Sequence, residues 1–164
     1  MKAITPRLST KSNSWWLALL FATSILIIGL IPGALTFALD PNAATRIGLG
    51  VIPIPAWVFR SVWLIAYPGM GIATWLVWRR RDHADVSIPL AIFGGAFLQT
   101  LSFWLTNSLR MTAVVDATGV LLAYTVAWVY WRYRPATLWW LLPWLTWMPI
   151  TLGIKLWALW NGGH

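Results

Sequence analysis

The chain has 164 residues, 59% hydrophobic and 10% charged, with four aspartates and no glutamate set against twelve lysines and arginines, for a net charge of +8. A soluble domain carries about a quarter charged residues, so a mean hydropathy of +0.69 leaves too few polar side chains to coat a water-soluble globule. The absence of cysteine excludes disulfides, thiolate catalysis and cysteine-ligated zinc or iron–sulfur sites. The basic residues punctuate apolar runs rather than gathering on one polar face, which excludes nucleic acid as a partner.

Five runs are long and apolar enough to span a bilayer, which takes roughly 20 helical residues. The first, 15–39, follows a polar N-terminus carrying Lys2, Arg7 and Lys11. It exceeds the roughly 7–15-residue core of a secretory signal and reads as a span. Asp40 to Ile54 is a long connection that opens with Asp40-Pro41-Asn42, a helix cap and first-turn pair, and continues through Gly48, Gly50 and Pro53. Among otherwise short loops, 40–54 reads either as a lid or as a flexible connector. The remaining spans are 55–78, closed by Arg79-Arg80-Arg81-Asp82, then 86–107, 111–131 and 136–160. The expected fold is an all-α integral membrane protein, a five-transmembrane-helix bundle forming one membrane domain over 1–164.

Eight of the twelve basic residues fall on one side: Lys2, Arg7 and Lys11, Arg79 to Arg81, and Arg132 with Arg134. The other side has Arg46 and Arg110, with Arg60 and Lys155 just inside the spans. This bias places the N-terminus in the cytoplasm and the C-terminus outside. The expected location is multi-pass in a membrane, the bacterial cytoplasmic membrane first. Ten of the fifteen tryptophans lie near span ends, where the ring sits at headgroup level and the indole N–H stays wet. Trp57, Trp63, Trp104, Trp144 and Trp147 are left over. Trp144 and Trp147 lie one helical step apart and share a face. Such rings serve either as packing between helices or as walls of a pocket for a flat hydrophobic ligand.

Charges within spans are costly and are functional candidates. Arg60, Asp116 and Lys155 each lie five residues from the outer end of a span, roughly 7–8 Å deep at about 1.5 Å per residue. Equal depth allows one cluster, with Asp116 partnering one cation and leaving the other for a carboxylate-bearing ligand. The alternative is that both cations snorkel outward. Gln99, Thr106 and Asn107 line the same region or bond across helices. Pro68, Pro143 and Pro149 free helical carbonyls and can kink their spans. Ala91 and Gly95, with Gly94 alongside, make a small-residue face for close helix approach, within the chain or in a homodimer. No catalytic set is present. His83 and His164 are the only histidines, no metal site is expected, and any chemistry would draw its reactivity from a bound pigment or light.

The second span carries a recognisable pattern: Pro55-Ala56-Trp57-Val58-Phe59, then Val62-Trp63, Ala66-Tyr67, Gly69-Met70-Gly71, and Trp75-Leu76-Val77-Trp78. It resembles the TspO/MBR family, the tryptophan-rich sensory proteins that include the mitochondrial translocator protein, or peripheral benzodiazepine receptor. That family is also five-helical, of similar length, with a long first loop. Its final-span Pro-Tyr-x-x-Trp corresponds to Pro143-Trp144-Leu145-Thr146-Trp147 here. The resemblance implies a pocket formed by the first loop and the outer helix ends, with Trp57, Trp63, Tyr67 and Trp147 carried over. It also implies ligands such as porphyrins, sterol-like lipids and isoquinoline or benzodiazepine drugs. The chain departs from the pattern: Arg60 stands where members carry proline or a small residue, Phe103 or Leu101 where they carry a third-span asparagine, and Lys155 where they carry a fifth-span asparagine. It is identified as a divergent member.

The leading expectation is a receptor or transport-type membrane protein binding a porphyrin-like tetrapyrrole in an outward-opening aromatic pocket, with no cofactor required. Trp57, Trp63, Tyr67, Trp144 and Trp147 supply stacking area, Arg60 and Lys155 meet carboxylates, and Asp116 supports one of them. Two other readings stand beside it. One is a structural or regulatory subunit that binds another membrane protein or a pigment complex. The other is a light-dependent tetrapyrrole-degrading protein.

Overall fold

Each of the five apolar runs is a helix in the computed structural model, which describes residues 15–40, 42–43 and 54–162. In chain order they are α1 (Trp15–Leu39), α2 (Ala56–Trp78), α3 (Ser87–Leu101, continued by a 3-10 turn over Ser102–Leu105), α4 (Leu109–Tyr133) and α5 (Thr137–Trp160). Most boundaries fall where the hydropathy pattern puts them. The third span is the exception: its α-helix stops at Leu101, and the chain is extended at Thr106. Ser108 then caps α4, its hydroxyl accepting the Met111 N–H at 3.3 Å, so α4 begins two residues before the expected 111. Among the described residues four helices, with α3 counted through its 3-10 turn, are long and apolar enough to cross a membrane. The 24-residue α5 has the length, but six tryptophans and two prolines lower its hydropathy. Apart from a turn beginning at Asp40, whose carbonyl accepts the Ala43 N–H at 3.0 Å, the expected lid lies mainly outside the described residues.

The order in space differs from the order in sequence. α2 lies between α1 and α5, α5 packs in turn on α4, α4 on α3, and the 3-10 turn returns to α1. A helix with two such neighbours must be apolar and small on two faces. α2 meets this with Gly69-Met70-Gly71. A Cβ at Gly69 would collide with the backbone carbonyl of Trp140 on α5, and one at Gly71 with the backbone of Phe21 and Ala22 on α1. Met70, between them, is fully buried. Close backbone approach of this kind is what small residues provide between helices that gain nothing from leaving lipid.

The main core gathers Ala66, Tyr67, Met70, Ala73 and Val77 of α2, Phe93, Ala96 and Phe97 of α3, Ala123, Val126 and Tyr130 of α4, and Leu141, Trp144, Leu145 and Met148 of α5. Spacings of three and four along each helix put these on single faces. α1 contributes a thinner seam, burying Ala22, Gly29 and Gly33 and leaving most of its large side chains exposed. At the basic end, arginines cover tryptophans: Arg81 over Trp78 at 3.4 Å, Arg132 over Trp128 at 3.8 Å, and Arg79 over Trp75 at 4.9 Å. The loop there is tied to α4 by the Tyr133 hydroxyl, which donates to the Asp85 carbonyl at 2.8 Å. The Asp85 carboxylate accepts the Ser87 hydroxyl and N–H, and these bonds hold it below the usual carboxylate range.

Candidate functional site

At the opposite end, where α2 and α4 begin and α3 and α5 finish, the helices part around a cleft of about 460 Å³ counted with its open mouth. One wall is the α2 row Phe59, Trp63, Tyr67, spaced four apart so that the rings stack up one face. Trp63 lies on Tyr67 with centroids 4.8 Å apart and planes 29° from parallel. Phe59 sets its edge against Trp63 at 6.4 Å and against Trp147 of α5 at 5.9 Å. Facing it is an α5 row with the same spacing, Trp147, Thr151, Lys155, joined by Met148. The 3-10 turn brings Phe103 and Trp104 to a third side, edge to face at 5.2 Å. Trp104 reaches across to Phe37 of α1, with centroids 5.7 Å apart. Val115 and Asp116 of α4 complete the lining with Thr100 of α3.

The cleft holds one buried ion pair. The Lys155 ammonium donates to the Asp116 carboxylate with Nζ–Oδ2 2.5 Å, and the two residues are 1% and 4% exposed. The same ammonium stands 4.5 Å from the centroid of the Phe103 ring. Lys155 therefore turns inward and does not snorkel. The pair is neutral as a unit, which is the form in which charge is tolerated among apolar side chains. The Nε1 of Trp147, a residue 6% exposed, is buried without an acceptor among the described residues.

Of the residues singled out from the sequence, Trp63, Tyr67, Asp116, Trp147 and Lys155 line this one cleft. Trp144 shares a helix face with Trp147 but points into the core, where it is fully buried. Trp57 is 68% exposed and Arg60 is also exposed; neither lines the cleft. The three-charge cluster thus resolves into a pair: among the described residues, the cation held by Asp116 is Lys155. Gln99 bonds across helices, its amide donating to the Val115 carbonyl at 2.6 Å and the Thr118 hydroxyl at 2.7 Å. Thr106 is buried and Asn107 exposed, both outside the lining. Ala91 and Gly95 are exposed and Gly94 half-buried, with open space beside both glycines. Sequence reasoning passed over Phe59, Phe103, Thr151 and Met148. Phe59, Met148 and Thr151 carried a signal, because each stands four residues from a singled-out residue on the same helix: Trp63, Trp144 and Trp147.

The TspO/MBR family model matches residues 21–160, from within α1 to the last residue of α5, and so takes in every wall of the cleft. The chain matches no curated protein and no solved structure. Matched over most of its length by that model, and with four of its five described helices long and apolar enough to cross a membrane, the chain belongs to the TspO/MBR family.

Proposed function

We propose that this receptor or transport-type membrane protein binds a flat, hydrophobic, porphyrin-like ligand between the α2 and α5 rows. The observation that carries the reading is the convergence of six aromatic rings (Phe59, Trp63, Tyr67, Phe103, Trp104 and Trp147) from three helical segments on one cleft. Aromatic walls offer stacking area to a planar ligand, and a few polar groups fix its orientation. The orientation inferred from the basic residues puts the Arg79–Arg81 end in the cytoplasm and the cleft in the outer half of the membrane. Arg60, exposed beside Phe59 at that end, takes carboxylates that project from the mouth.

A protoporphyrin titration of the detergent-purified protein, read by tryptophan quenching, tests the reading. Saturable one-site binding is expected, weakened about tenfold in Trp63→Ala, since a lost stacking wall is worth about 1.4 kcal/mol. Arg60→Ala is expected to weaken the porphyrin without abolishing binding. Constant porphyrin absorbance under illumination marks a binder, and bleaching marks light-driven breakdown. Absence of saturation would remove the ligand reading and turn attention to a protein partner.

A further inference from the structure

Resting on the cleft-binding reading, the geometry points to a narrower ligand class: the edge that enters the cleft is uncharged and carries a hydrogen-bond acceptor, a carbonyl or ether oxygen, with any carboxylate left outside. Among the described residues, the cleft's one ammonium already has its anion. Lys155 meets Asp116 at 2.5 Å and covers the Phe103 ring on another side. An incoming carboxylate would either displace Asp116 or share its ammonium, and in both cases the cleft would hold two buried negative charges for one cation, with only the Thr151 hydroxyl as a further partner for Asp116. Stranding a buried charge costs far more than the new contact returns.

Donors, by contrast, remain. The Trp147 indole N–H has no acceptor among the described residues. An ammonium has three N–H groups, and Asp116 takes one of those on Lys155. A neutral oxygen can accept from either without bringing in a charge. The rows of rings then hold the plane of the ligand, while the ion pair acts as a charge filter at its inner edge. Asp116 is a specificity-determining residue in this scheme, because removing its charge converts a neutral floor into a cationic one.

Two fluorescent probes that differ in one group test this. Pyrene-1-carboxamide and pyrene-1-carboxylate, the latter ionised at neutral pH, share one flat ring system and differ in a single charge, and pyrene accepts energy from tryptophan. With affinities corrected for partition into detergent, the amide is expected to bind at least tenfold tighter than the carboxylate, and by no smaller a ratio in Arg60→Ala, where a carboxylate turned outward loses its cation. Trp147→Phe should weaken the amide by a clearly larger factor than unsubstituted pyrene, which loses only stacking area, and Asp116→Asn should reverse the preference toward the carboxylate. A carboxylate that binds the wild-type protein as tightly as the amide overturns the inference and leaves cleft binding standing. So does an unchanged preference in folded Asp116→Asn; should that variant not fold, the wild-type comparison decides. Saturation by neither probe nor protoporphyrin overturns both.

Discussion

Asp116 and Lys155 are each tolerable only because of the other. Removing one partner leaves a buried charge that costs about 3–5 kcal/mol, whereas replacing both with apolar residues of similar size is about neutral or stabilising. Lys155→Met alone should therefore lower the thermal midpoint in detergent sharply, and Asp116→Leu combined with it should restore most of the loss. A double variant no more stable than the worse single one would contradict the pairing. That a pair forms was legible in the sequence from equal depth; which cation joins it was not. Depth along a span says nothing about the angle around it. Arg60 lies about 100° around the helix from Phe59 and shares its stripe with exposed Leu64, while the neighbouring stripe of Phe59, Trp63 and Tyr67 turns inward.

Between helices, spacing is set by what is missing from the side chains. Gly71→Ala puts a methyl group into the backbone of α1, and overpacking of that kind costs about 1–3 kcal/mol. Gly95→Ala meets open space and should gain up to about 1 kcal/mol from helix propensity. Thermal unfolding of the two variants should therefore shift in opposite directions, and equal shifts would deny that α1 and α2 touch at Gly71. Four of the five α-helices were readable to within a residue or two. The end of α3 was not, because the run stays apolar on average through Leu105 despite Gln99, Thr100 and Ser102, so the change from α-helix to 3-10 turn is not marked by a break in hydropathy. That turn is also what delivers Phe103 and Trp104 to the cleft, which is why this wall was the hardest to foresee.

For the molecule as a whole, the inferred orientation has a direct test, because the chain has no cysteine of its own. His83→Cys and Asn161→Cys occupy exposed positions on opposite sides. In intact cells an impermeant thiol reagent should label Asn161→Cys and not His83→Cys, and the reverse pattern would invert the orientation. The spatial order of the helices was not legible, since five apolar spans can be arranged in many rings and only the glycines of α2 hint at two neighbours. That order bears on how the protein is made. The tryptophan-rich helix α5 follows both of its neighbours, α2 and α4, in the chain. By the time the tryptophan-rich segment emerges, the surfaces that accept it are already in the bilayer. Its insertion is then a docking event, and the cleft comes into existence only once α5 has joined α2 and α4.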